Sequence, residues 1–272
     1  MRRYTPMHHR RIGFIGSGNM ATALAVAFRR AGLLGNAIAS DKDFRKGAAI
    51  REKAGVLTTT DNRKVAKEAD AIFLCVKPQD ISSVMDEIRK DVKGKLIISI
   101  AAGVAMKKLE QGLPGAKIIR VMPNTPCLVG EMAAGFSPGK GVHSEEGKFV
   151  EKLLNAAGKA YAVPEERLDA VTAVSGSGPA FFAYLYDCFI QAGIKQGLPE
   201  KICRDLVLQT AKGTAVLLEK TGMSPEQLIA MVSSPKGTTL EGRKILENSG
   251  VGNLINKTVA RAKRRSEELR KA

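Results

Sequence analysis

The residues best placed to do chemistry form one turn, Ile15-Gly16-Ser17-Gly18-Asn19-Met20-Ala21. Gly16, Gly18 and Ala21 fit the spacing G-x-G-x-x-G/A, behind an apolar run and ahead of a helical pattern. In that setting Gly16 makes the tight turn, and Gly18 lets backbone approach a pyrophosphate. Ala21 keeps helix and strand close, while the helix start offers free N–H groups and partial positive charge. The chemistry implied is dinucleotide binding; without a ligand the same spacing would be a tight strand-to-helix turn. Roughly 20 residues further on stand Ser40 and Asp41. An acid there suits the ribose 2′-hydroxyl of NAD, whereas Lys42 and Arg45 suit the 2′-phosphate of NADP. Both cofactors stay open, and Asp41 could equally cap the helix that follows.

Two more strand ends carry candidate ligand contacts. One reads Cys75-Val76-Lys77-Pro78-Gln79, the other Ala101-Ala102-Gly103. Ligands of open α/β sheets lie beyond the carboxyl ends of strands, and small residues at 101–103 would admit a flat nicotinamide. Far downstream, Ser175-Gly176-Ser177-Gly178-Pro179-Ala180 and Ser233-Ser234-Pro235-Lys236-Gly237-Thr238-Thr239 interrupt helical patterns. Hydroxyls and exposed N–H groups there can hold a carboxylate, or they can simply cap helices. Strong proton donors are scarce: His8 and His9 fall in the tail, His143 precedes a surface helix, and no metal-ligand cluster is evident. Hydride transfer to a carbonyl wants such a donor. An imine does not, because it can take its proton before reduction, and a hydroxyl that orients the nitrogen then suffices.

The elements that must position these groups alternate. Strands are expected at 11–15, 37–40, 56–58, 71–76, 96–100 and 117–122, with helices at 19–31, 44–54 and 81–90 between them. Continuous apolar runs such as 71–76 mark strands buried on both faces. This is the pattern of βαβ units and a mostly parallel sheet. Beyond about Pro164 no strand is expected. Helices are predicted at 164–174, 180–196, 199–220, 225–232, 239–248 and 254–270, several opened by proline. The fold class is therefore α/β: a Rossmann-type, mostly parallel sheet over residues 1–165, followed by an all-helical domain over 166–272.

Composition bounds the rest. The 272 residues are 44% hydrophobic and 26% charged, which excludes a wholly disordered chain. No apolar run approaches the roughly 20 residues of a membrane span. Aromatics are 5% and tryptophan is absent, so the core must be mostly aliphatic. Much of the excess behind the net charge of +16 sits at the ends, in Arg2, Arg3, Arg10 and Arg11 and in Lys257, Arg261, Lys263, Arg264, Arg265, Arg270 and Lys271. Glu267 and Glu268 interleave with the second group, and no aromatic platform accompanies either. A solvated helix face and tail are expected rather than a nucleic-acid site. Four cysteines without a CxxC pair suit a reduced, cytoplasmic protein.

Taken in order, GFIGSGNMA (13–21), VKPQ (76–79), AAGV (101–104), RVMPNTP (120–126), AVSGSGPAFF (173–182) and VSSPKGTTLEG (232–242) closely resemble the pyrroline-5-carboxylate reductases. The resemblance spans nearly the whole chain. It implies reduction of L-1-pyrroline-5-carboxylate to L-proline by NADPH or NADH, the last step of proline biosynthesis. It also implies a homodimer built by the helical domain, often stacked into larger rings, with sites that combine loops of two subunits. Carried over by position, it assigns the pyrophosphate to Gly16–Ala21, flanked by Ile15. Ser40, Asp41 and Asn62 fall near the adenine ribose or its phosphate. Cys75, Val76, Lys77 and Pro78, with Ala101, Ala102 and Gly103, line the cofactor toward the nicotinamide. The substrate falls to Ser175, Gly176, Ser177 and Gly178 and to Ser233, Ser234, Gly237, Thr238 and Thr239, with Thr239 bonding the imine nitrogen. Two departures stand out: Asp41 where some relatives carry serine, and Lys236 where glycine is common.

Other classes fit less. β-Hydroxyacid dehydrogenases share the layout, but their catalytic lysine would fall at Phe182. Another imine reductase would share the hydride chemistry. A non-catalytic dinucleotide-binding or basic nucleic-acid-binding protein gives no reason for the VSSPKGTT segment.

Overall fold

The structure is a computed structural model and describes residues 10–271. The terminal groups Arg2, Arg3, His8 and His9 lie outside the described residues. By its internal contacts the chain forms two units. One runs to Ser177 and takes in the chain from Arg261 onward; the other is Gly178–Ala260.

The first unit opens with β1 (Ile12–Ile15), α1 (Asn19–Arg30), β2 (Ile38–Ser40), α2 (Phe44–Ala54) and β3 (Leu57–Thr59). It continues with α3 (Asn62–Glu68), β4 (Ala71–Leu74), α4 (Ile81–Ile88), β5 (Leu96–Ser99), α5 (Met106–Gly112) and β6 (Lys117–Met122). β7 (Met132–Pro138), α6 (Ser144–Asn155) and β8 (Gly158–Ala162) complete the sheet. The strand order is β3-β2-β1-β4-β5-β6-β7-β8, and every pair is parallel except β6 with β7. Side chains alternate across the sheet as the pleat requires. Ile12, Phe14, Phe73 and Ile98 pack with α1, α2 and α6 on one face. Ile15, Ile72, Leu74 and Ile97 pack with α3, α4 and α5 on the other. The few aromatics are concentrated: Phe14 and Phe73 stack at 5.4 Å, with Phe28 of α1 against both. The helices on the two faces diverge between β1 and β4, which opens the ligand crevice of such sheets at the ends of those strands.

Four elements go beyond the sequence-based expectation. α3 and α5 are seven-residue helices whose polar faces mask any apolar period. β7 (MAAGFSP) and β8 (GKAYA) are small, glycine-bearing strands with no aliphatic run. The helix expected at 164–174 is broken as well. A 3₁₀ turn at Glu165–Arg167 leads into α7 (Leu168–Val171), and a π-helical turn follows at Thr172–Gly176.

The second unit holds α8 (Gly178–Lys195), α9 (Glu200–Thr221), α10 (Pro225–Val232), α11 (Thr238–Asn248) and the first part of α12 (Val251–Lys271). Pro225 opens α10, where Ser224 and Gln227 form a capping box. α8 and α9 cross at Gly193, where an added Cβ would sit 2.3 Å from Cys203 Sγ. Little else is buried. Phe182, Tyr184 and Phe189 of α8 are each more than half exposed, as are Ile202 and Leu206 of α9. Apolar surface on that scale marks an association face.

Candidate active site

The glycine turn sits at the carboxyl ends of β1, β2 and β4. Gly16 N donates to Ser40 O at 2.8 Å, and Cys75 N donates to Ile15 O at 2.7 Å. Gly16 has φ +90°, and a Cβ there would lie 2.9 Å from the Cys75 carbonyl group, so only glycine fits. Gly18 is the opposite case: its Cβ would meet nothing within 4 Å. The space before it is a cradle that a side chain would fill. No side chain caps α1 and its first turn carries no acid. Open space, bare N–H groups and a helix dipole together fit a pyrophosphate.

Asp41 does not cap α2; Asp43 does, accepting from Arg45 N at 3.0 Å. Asp41 Oδ2 accepts from Ser17 N at 2.8 Å, inside the glycine turn, and Oδ1 accepts from Asp43 N at 2.8 Å. Ser40 is wholly buried and donates to Asn62 Oδ1 at 2.7 Å; Asn62 Nδ2 donates to Glu87 Oε2 at 2.6 Å. These two residues form a relay beneath the expected ribose position. Cys75 and Val76 are half-buried, while Lys77 and Pro78 are exposed. Burial, with the nearby Cys127 thiol adding to it, pushes the Cys75 thiol above its ordinary range, and burial pushes Cys127 up to about 11. Both remain neutral thiols at physiological pH. Ala101 is buried, Ala102 exposed and Gly103 half-buried, all just past the end of β5. The turn, Ser40–Asp41, Asn62, 75–78 and 101–103 thus follow neighbouring strands of one sheet edge.

The segment around Ser175 differs from the expected loop. It is the π-helical turn, closed by Ser177 N donating to Thr172 O at 2.8 Å, and it runs straight into α8. Such turns recur at functional sites. Ser175 Oγ donates to Ala133 O at 2.6 Å. Asn124, buried after β6, donates to Ser175 O at 3.2 Å and accepts from Ala133 N at 2.9 Å. Asn124 thus ties Ser175 to β7, a link that residue patterns alone do not disclose. It lies within RVMPNTP, but its partners are distant in sequence.

In the second unit, Ser234 O accepts from Gly237 N at 3.0 Å, closing a turn with Pro235 second and Lys236 third. Lys236 has φ +61°, a conformation that favours glycine at this turn position. The turn delivers Thr238 and Thr239 to the first positions of α11, whose Gly237 cap supplies no side-chain hydrogen bond. Ser233 Oγ is buried and unpartnered. An uncapped helix start with three hydroxyls suits a carboxylate and a neighbouring hydrogen-bond acceptor.

A Rossmann-type sheet with this turn, joined to helices that expose an association face, defines a dinucleotide-dependent oxidoreductase with a dimerisation region. Similarity to known proteins narrows the class. Residues 165–269 match the model for pyrroline-5-carboxylate reductase dimerisation, and residues 11–103 match that for NADP oxidoreductase, coenzyme F420-dependent. The pyrroline-5-carboxylate reductase of Methanosarcina acetivorans is 40% identical over 97% of this chain and 100% of its own length. That of Glycine max is 38% identical over 94% and 95%. A solved pyrroline-5-carboxylate reductase from Coxiella burnetii superposes with TM-score 0.92 at 34% identity, covering 96% of this chain and 98% of that one. The Plasmodium falciparum pyrroline carboxylate reductase, solved with NADP bound, gives 0.86 at 31% identity, covering 97% and 99%. The chain belongs to the pyrroline-5-carboxylate reductase family. It is an NAD(P)-dependent oxidoreductase with a small-molecule substrate, and it is homo-oligomeric through its helical region. No helix among the described residues is long and apolar enough to cross a membrane.

Proposed function

We propose that the chain reduces L-1-pyrroline-5-carboxylate to L-proline, the last step of proline biosynthesis. NADPH or NADH, when bound, supplies the hydride. Residues 1–165 are assigned to the cofactor and 166–272 to substrate and dimerisation. The observation that carries the substrate reading is the Ser233–Thr239 segment: an uncapped helix start, two threonine hydroxyls and a buried, unpartnered Ser233 Oγ. Its N–H groups and hydroxyls hold the carboxylate, and Thr239 Oγ1 orients the ring nitrogen. Ser175, Gly176, Ser177 and Gly178 complete the substrate contacts, with Asn124 fixing Ser175. No residue need act as a strong acid, because the imine nitrogen takes its proton before reduction.

On the cofactor side, the N–H groups of Gly16–Ala21 hold the pyrophosphate. Asp41 keeps the turn in shape while presenting negative charge to the adenine ribose. Cys75, Val76, Lys77 and Pro78, with Ala101–Gly103, flank the nicotinamide, and the neutral Cys75 thiol adds apolar wall rather than nucleophile. Four free thiols fit a cytoplasmic setting. Arg261, Lys263 and Arg265 pair with Glu267 and Glu268 on α12, which supports a solvated basic face rather than a nucleic-acid site. A ring of dimers is the assembly this reading assigns. Steady-state kinetics tests the reading: cofactor oxidation should require added pyrroline-5-carboxylate, with proline accumulating in equal amount. Cofactor oxidation without proline would refute it.

A further inference from the structure

The end of α12 reaches the carboxyl edge of the sheet. Asp169, on α7, is buried, and both its oxygens are engaged by that helix. Ser266 Oγ donates to Oδ1 at 2.7 Å and Arg270 Nε to Oδ2 at 2.9 Å. Ser266 and Arg270 stand one helical turn apart, so one carboxylate fixes the face of the helix between them. That face carries Leu269. A Cβ built on Gly103 would lie 3.3 Å from Leu269 Cβ and 3.6 Å from its carbonyl carbon. Gly103 has φ +72°, a conformation that favours glycine, and the side its Cβ would occupy faces the last turn of α12.

The far end of the same loop is held too. Met106 N donates to Glu165 Oε1 at 2.7 Å, and that oxygen also takes a short hydrogen bond from the buried Arg120. Two acids one turn apart, Glu165 and Asp169, therefore pin residues 101–106 from below and through α12.

We propose that Asp169, Ser266, Leu269 and Arg270 are positioning residues for hydride transfer: the C-terminal helix sets the height of the Ala101–Gly103 loop against the nicotinamide. The inference rests on the assignment of 101–103 to the nicotinamide. Arg270 touches no reacting atom. Its loss frees the end of α12, Leu269 lifts from Gly103, and the loop gains freedom where a displacement near an ångström changes the rate steeply.

The test compares Arg270→Ala and Arg270→Lys with the parent homo-oligomer. Amide exchange over 100–106 in the cofactor-free protein should speed up in Arg270→Ala and return toward the parent in Arg270→Lys, whose ammonium can still reach Asp169. The fluorescence of bound NADPH should shift toward that of free NADPH in Arg270→Ala. Turnover should fall roughly ten- to hundredfold, with the KM for pyrroline-5-carboxylate within about twofold. A lowered Tm with unchanged exchange at 100–106 and unchanged bound-NADPH fluorescence would make the contact merely structural and overturn the proposal. If the parent itself binds NADPH but leaves pyrroline-5-carboxylate unreduced, the substrate reading fails. Exchange and fluorescence then still decide the brace.

Discussion

Asp41 Oδ2 accepts the backbone N–H of Ser17 at 2.8 Å, so the acid expected to read the ribose also holds the glycine turn. Its other oxygen takes Asp43 N at 2.8 Å. Hydrogen bonds to a charged group are worth about 1.5–3 kcal/mol, enough to order a short glycine turn. Asp41→Ser removes the charge that repels a 2′-phosphate and loosens the turn at the same time. The ratio of kcat/KM for NADPH to that for NADH should rise, while affinity for both cofactors falls. Steady-state kinetics with the two cofactors checks this; an unchanged ratio would leave Asp41 with the turn alone.

Gly18→Val separates cofactor binding from folding. The added side chain meets no protein atom near its Cβ, and the cap conformation is extended, which valine adopts freely. The variant should keep its Tm and lose NADPH binding, read by quenching or calorimetry. Normal affinity would mean that the turn does not hold the pyrophosphate.

Lys236 tests the turn proposed to hold the substrate from the stability side. A non-glycine residue in the left-handed region costs roughly 1–2 kcal/mol. Lys236→Gly should recover about 1 kcal/mol of that, after allowing for the greater freedom of unfolded glycine. If the KM for pyrroline-5-carboxylate stays level, the lysine charge plays no part in binding the carboxylate. Thr239→Val, in contrast, keeps volume and removes the hydroxyl, and turnover should fall roughly a hundredfold. Full activity would take Thr239 out of the mechanism.

Glu146 gives a pH dependence. Burial favours its neutral form, but the Lys117 hydrogen bond, the His143 N–H and the charges of Lys117 and Arg10 outweigh that and hold the carboxyl below its ordinary value of 4.5. A folded value below the unfolded one means stabilisation that is complete above 4.5 and fades as pH falls through the folded value. Glu146→Gln should cost about 2 kcal/mol at neutral pH and flatten the loss of stability in acid. Denaturant titrations at several pH values would show it; parallel curves for the two proteins would contradict it.

The parts of this account readable in sequence are those where one residue type has one physical use. Continuous aliphatic runs of four to six residues between turn residues mark buried strands, and Gly16 at φ +90° marks the tight strand-to-helix turn. Strands β7 and β8 escaped because alanine, glycine and lysine acquire strand character only by pairing with β6 and each other. Ser175-Gly176-Ser177 reads in sequence as an interruption of a helical pattern, yet a π-helical turn carries its backbone into α8. The contacts of Asn124, Glu165 and Asp169 have no sequence signal, because each engages partners brought near only by the fold.

The most direct measurement follows the hydride itself. Enzyme, pyrroline-5-carboxylate and NADPH carrying deuterium on the reactive face of its nicotinamide are incubated together, and the proline formed is analysed by mass and NMR. The proline should carry one deuterium, on the ring carbon beside nitrogen and away from the carboxylate. Unlabelled proline, or none while the cofactor is consumed, would contradict it.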